Sequence, residues 1–379
     1  MNQDKVLKPA SREVYLDNLR IYLTILVIFH HAAIAYGGAG DWRVIDPSVD
    51  EISPIFLVFF NALNQSYFMS VFFLLAGYFT PGSLEKKGAW EFLKDRLIRL
   101  GIPLLVYTTI ILNLNDYVFD KFLYRKPFSP VLSYSPGHLW FLQALLVFAI
   151  VYVVYRLWAD RNADKKYFQY SQGRFPPNRS LALSIFLLAI LTFGMRTIFP
   201  VGVWFLGVQP GHFVHYIFAF FVGILARRGD WFTRLDKKQA RQWGTVSLIT
   251  MPFFFVLVVL GGLLESEDNL FKFVGGVHWQ AFSYALWESI LFIGITVFLL
   301  HYFRERFNNA GSLGRSMAAN VYTVYIIHQT LLYSMNILFL SIDIPTIVKF
   351  FVVSLITVPL CFILSSLIRK IPYARRVLG

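Results

Sequence analysis

An arginine and a histidine eleven positions apart in one apolar stretch, Arg20 and His31, are the residues of this chain best suited to chemistry. At about 100° per residue, eleven positions make three turns and a small remainder. Both side chains therefore lie on one face of a helix, about 16 Å apart along its axis. Asp17 and Thr24 fall on that face too, whereas His30 points about 100° away. A guanidinium beside a carboxylate can hold a charged group, and neutral imidazole is the usual general base near neutral pH. The stripe reads as a charge-holding end and a proton-taking end.

The element that must position these residues, 16–36, is long and apolar enough to cross a bilayer. An ionisable residue inside such a span is a functional-site candidate by default, because charge in hydrocarbon is expensive. Arg20 could instead snorkel to the interface, but its same-face Asp17 and His31 argue for an interior polar channel. The whole chain has the same character, with 56% hydrophobic and 15% charged residues in 379 and a mean hydropathy of +0.56. Such a composition excludes an ordinary soluble domain and defines an all-α, polytopic transmembrane helical bundle.

Ten spans are expected, at 16–36, 55–79, 98–115, 138–158, 181–199, 211–227, 244–263, 278–302, 317–340 and 347–368. With the N-terminus inside, nearly every Lys and Arg falls in a cytoplasmic segment. Arg43, Lys121, Arg125, Lys126 and Lys272 are left on the other side. That bias predicts both termini, and the loop 228–242, in the cytoplasm. It also accounts for the formal net charge of +13, so no nucleic-acid partner is expected. Residues 1–14 read as a polar cytoplasmic tail, not a cleaved signal. No internal repeat or separate soluble domain is visible, so 1–379 reads as a single integral-membrane domain.

This topology sorts the histidines. His30, His31, His138, His212, His215 and His278 fall in the outer half of the bundle, His328 near mid-membrane, and only His301 in the cytoplasm. Each alone can be an interfacial or packing residue, but six on one side point to proton chemistry there. Glu288 is too deep to snorkel, so it must pair or be protonated. Asn61, Asn64 and Gln65 share one face of the second span and suit interhelical hydrogen bonding. The single cysteine, Cys361, excludes an intrachain disulfide and a multi-cysteine metal site.

Several stretches, taken together, resemble the integral-membrane acyltransferase-3 family and, within it, the glucan biosynthesis protein C-like branch. LDNLR followed by HH matches the family's first-helix pattern of Arg, ten residues, then His, on Arg20 and His31. FFLLAGYF (72–79) matches a second-helix FFxxSGYF, with Ala76 where serine is usual. RLIRLGIP (96–103) matches the basic entry to the third helix, and GHLWFL (137–142) the fourth-helix signature. YIIHQ (325–329) matches a late YxxH element, with Gln329 where a proline often stands, and RTIF (196–199) looks like the glucan branch. The two departures put Ala76 and Gln329 in doubt as functional positions.

The resemblance implies transfer of a small acyl group, acetyl or succinyl, from cytoplasmic acyl-CoA to a hydroxyl of an extracytoplasmic glycan or lipid-linked cell-envelope acceptor. The setting would be the cytoplasmic (inner) membrane, with acyl-CoA as co-substrate and no further cofactor or metal. The residues themselves suit that chemistry. Phosphates on the donor need Arg20, Arg96 and Arg99, although the last two serve equally as positive-inside residues. The hydroxyl nucleophile needs a base, for which His31 is the first choice, with Asp17 fixing Arg20 at i+3. Glu288 and His328 complete the candidate catalytic set, and His138 and Arg196 the substrate-binding set. A proton-coupled transporter or exporter is the rival, since buried charge and histidines mark carriers too. The lack of an inverted repeat weighs against it.

Overall fold

The computed structural model describes residues 13–46, 49–119, 121, 125, 135–161 and 173–378. The first twelve residues of the expected tail, and Lys126, lie outside these. Among the described residues the chain is helical, apart from loops and one isolated bridge between Phe205 and Val208. Five long helices form the first half: α1 (Val14–Ala35), α2 (Ile52–Lys87), α3 (Ala89–Val118), α4 (Trp140–Arg161) and α5 (Asn178–Ile198). The second half holds α6 (Phe213–Gly229), α7 (Lys237–Leu260), α8 (Trp279–Arg306), α9 (Ser312–Phe339) and α10 (Thr346–Ile368).

Eight of these helices are long and apolar enough to cross a membrane, so this is a multi-pass membrane protein. The expected spans 211–227 and 317–340 become α6 and α9, which are not among the eight. At 17 residues α6 is short. α9 is long, but Asn320, Thr323, His328 and Asn336 on its buried side dilute its apolar character.

α8 lies deepest, with 72% of its most apolar window buried, against 17% for α3 and α7. Those two helices therefore present most of their side chains outward, where a bilayer supplies the apolar surroundings. α2 and α6 cross at two glycines. A Cβ on Gly77 would stand 2.0 Å from the Phe220 carbonyl oxygen, and one on Gly223 would stand 2.1 Å from that of Leu74. Close backbone approach through small residues is how helices pack where no hydrophobic effect drives them together. Gly77, within FFLLAGYF, is thus a packing position.

α3 is not a regular helix. Two π turns, Leu97–Gly101 and Tyr107–Ile111, interrupt it, and such turns recur at functional sites because each re-aims the side chains that follow. Between α1 and α2 the segment 36–46 folds back onto the bundle. Asp46 donates its N–H to Ala35 O (2.9 Å) and accepts from Lys349 of α10 (2.6 Å), a buried ion pair. Asp50, just before α2, accepts the N–H groups of Ile52 (3.1 Å) and Ser53 (2.7 Å) in its first turn.

Candidate active site

α1 carries its polar residues as the spacing requires. Arg20 pairs with Asp17 at 3.4 Å and covers the Phe79 ring at 4.3 Å. At the far end the two histidines part company. His30 is buried against Phe68 of α2 (ring centroids 4.8 Å apart), while His31, less buried, turns towards α9.

His31 stands in a group of three imidazoles drawn from three helices. Its Nδ1 lies 3.0 Å from Nε2 of the fully buried His328. His328 in turn meets His138, at the mouth of α4, edge to face at 4.8 Å. Hydrogen bonding assigns the protons. A carbonyl can only accept, so Tyr325 O, 2.6 Å from His328 Nδ1, places the proton on that nitrogen and leaves Nε2 of the neutral ring as an acceptor. His31 Nδ1 must then donate to it. In the neutral ring its own Nε2 then carries the lone pair. His138 faces acceptors at both ring nitrogens: the Tyr325 and Ile326 carbonyls, both 3.1 Å from Nε2, and the Gln329 side-chain oxygen at Nδ1.

Gln329 ties this group to α3. Its side-chain amide bonds His138 Nδ1, the Tyr107 hydroxyl at 2.5 Å and the Tyr333 hydroxyl at 2.8 Å. Tyr107 sits in the second π turn of α3, which aims it inward. The Tyr325 hydroxyl closes the circuit by donating to His138 O. Gln329 departs from the motif pattern, yet it is the hub of the site. Its position directly after His328 is the signal that could have found it.

At the other end of the α1 stripe are the arginines. Arg96 covers the Phe92 ring at 4.9 Å and acts on Arg20 as a neighbouring like charge. Arg99 pairs with Asp95 at 3.1 Å and keeps 43% of its side chain exposed. Tyr322, two turns before His328 on α9, donates its hydroxyl to Arg99 O. Arg227 covers Tyr78, whose hydroxyl bonds Glu13 at 2.8 Å. That group was not foreseen, since nothing in the sequence brings α6 beside α1.

Glu288 and Arg196 belong elsewhere. They form a buried ion pair with each other at 2.6 Å, and Arg196 also donates to Gly211 O (3.1 Å) and approaches His212 (3.4 Å). Beside them His215 bridges Ser289 (3.1 Å) and Thr192 (3.3 Å). This second network fastens α5, α6 and α8 together. Glu288 has paired, and no described hydrogen bond links the pair to His31.

One helix thus carries an arginine pole at one end and an imidazole pole at the other. The family model described as "Acyltransferase domain" matches residues 13–366, and the chain belongs to that family. It is a multi-pass membrane member of that family. Among known relatives it is similar to glucans biosynthesis protein C of Escherichia coli strain K12. The two are 32% identical over 150 residues, which make up 37% of this chain and 37% of that protein. The glucans biosynthesis protein C of Escherichia coli O1:K1 / APEC is likewise 32% identical, over 152 residues and 37% of each chain. The matches thus span 37% of the length of these relatives. No solved structure matches the chain.

Proposed function

We propose that this protein moves a small acyl group, acetyl or succinyl, from cytoplasmic acyl-CoA to a hydroxyl of an extracytoplasmic glycan or related cell-envelope acceptor. It would do so from the cytoplasmic membrane, with α6 and α9 completing ten spans and both termini inside. The observation that carries this reading is the His31–His328 pair, which leaves an imidazole lone pair 11 residues along one helix face from Arg20. Support for a glycan acceptor comes from the word "glucans" in the relatives' name.

The donor's phosphates would sit against Arg20, Arg96 and Arg99, with the pantetheine arm running along the stripe towards His31. His31 Nε2 takes the acceptor's hydroxyl proton as the oxygen forms its bond to the thioester carbon. The tetrahedral intermediate then expels the CoA thiolate as the C–S bond breaks. The imidazolium returns its proton to that sulfur, so an ester and free CoA leave and His31 is neutral again. His328 holds the donating tautomer of His31 and shares the positive charge while it lasts. Asp17 keeps Arg20 in place, and His138 and Gln329 fix His328 from behind.

The test is direct: purified protein given labelled acetyl-CoA or succinyl-CoA should transfer or hydrolyse the label. Mass spectrometry of envelope glycans from a deletion strain should show which ester disappears. A protein that leaves both donors intact, with or without acceptor, is not the enzyme described here.

A further inference from the structure

We propose that Trp42 and Tyr36 form the acceptor's seat, with the indole N–H of Trp42 and the phenol of Tyr36 hydrogen-bonding the hydroxyls of a carbohydrate beside His31. This rests on the acyl-transfer reading above and adds the residues that hold the second substrate.

Trp42 is stacked on His31, centroids 5.1 Å apart and planes 20° apart, and its other neighbour is Tyr333 at 4.5 Å. With His31 stacked on the indole and Tyr333 packed beside it, the ring's polar edge is what it offers a ligand. That edge carries Nε1–H, which has no hydrogen-bond partner although the residue is only 5% exposed. Tyr36, in the same packed cluster, is fully buried with an unpartnered hydroxyl. Asn336, one turn beyond Tyr333 on α9, is fully buried with both amide atoms unpartnered. Buried polar groups are almost always paired, so several unpaired groups at the histidine end need an explanation.

The placement of Trp42 is built. Asp46 is held by Lys349 at 2.6 Å, Arg43 pairs with Asp116 at 3.2 Å, and Asn61 donates to Ala39 O at 3.0 Å. Arg43 and Lys349 both face carboxylates. The groups without partners are neutral, and they include donors and an acceptor. Neutral, mixed hydrogen bonding suits hydroxyls and does not suit the phosphates of the donor, whose arginines lie at the other end of α1.

The experiment uses the full chain in lipid nanodiscs, acetyl-CoA and succinyl-CoA in turn, and a linear gluco-oligosaccharide as acceptor. Trp42→Phe keeps a stacking ring and removes the N–H, and Tyr36→Phe removes only the hydroxyl. Each should raise the acceptor KM by about 5- to 20-fold, the size of one lost hydrogen bond, while the donor KM holds within about twofold. Tyr36→Phe should keep the thermal midpoint of the parent, because that hydroxyl has no protein partner to lose. Trp90→Phe, at an exposed tryptophan of α3, serves as the control and should change neither KM. Folded variants with an unchanged acceptor KM overturn the seat. So does a parent protein that consumes the donor yet never acylates the oligosaccharide. A parent that consumes neither donor overturns the transferase reading instead.

Discussion

His31 Nδ1 and His328 Nε2 lie 3.0 Å apart, although 297 positions separate them in the chain. This contact joins α1 to α9 and decides which nitrogen of His31 carries the lone pair. An orienting partner of this kind acts on rate through the base it holds. His328→Ala should lower kcat by about 10- to 100-fold with little change in either KM. His328→Gln, whose amide oxygen can accept from His31, should recover part of that loss. Equal kcat in the parent and His328→Ala would show that the pair is packing only.

The arginine pole predicts a different signature. Arg20→Ala should raise the donor KM by about 10- to 100-fold, since a charge-assisted contact is worth roughly 1.5 to 3 kcal/mol. Arg99→Ala should do less, because Arg99 already pairs with Asp95 and stays 43% exposed. Lysine at position 20 should rescue only in part, as it lacks the fork that grips phosphate. Competition by CoA measures both effects, and a donor KM that ignores Arg20 rejects the assignment.

The Arg196–Glu288 pair predicts a loss of stability. Removing one partner strands the other as a buried charge, which costs about 3 to 5 kcal/mol, whereas replacing both with apolar residues of similar size is often neutral. Glu288→Gln should therefore lower the thermal midpoint in detergent sharply, and the double variant Arg196→Met, Glu288→Leu should regain most of it. If Glu288→Gln is fully stable but inactive, Glu288 takes part in the reaction.

Packing at Gly77 predicts intolerance of even one carbon. A Cβ there would meet the Phe220 carbonyl oxygen at 2.0 Å, and a backbone atom on a packed helix cannot swing aside. Gly77→Ala should reduce folded yield, while Ala76→Ser, one position earlier and less tightly packed, should fold normally. The readout is monodisperse protein recovered after extraction. Equal yields would mean α2 and α6 separate more easily than their contact implies.

What could be read from the chain was local. Helical periodicity alone put Asp17, Arg20, Thr24 and His31 on one face and turned His30 away, and the helix carries them so. The need for Glu288 to pair was legible from its depth, but not its partner, which comes from a helix some ninety residues earlier. Trp42 was invisible because it reaches His31 only when a loop folds back, held by Lys349 some three hundred residues later. The contacts of Gln329 were hidden for another reason. It was weighed as a departure from a motif, whereas its chemistry, an amide able to donate and accept at once, is what joins Tyr107, His138 and Tyr333.

The central claim is that His31, and not its neighbour, carries the proton. The most direct measurement is acyl transfer from labelled acyl-CoA by purified His31→Ala and His30→Ala proteins, each first shown to be folded. His31→Ala should lose about 10²- to 10⁴-fold in rate, the usual effect of removing a general base. His30→Ala, which leaves a hole against Phe68, should lose stability and keep its turnover. A folded His31→Ala protein that transfers acyl groups at the parental rate would contradict the account.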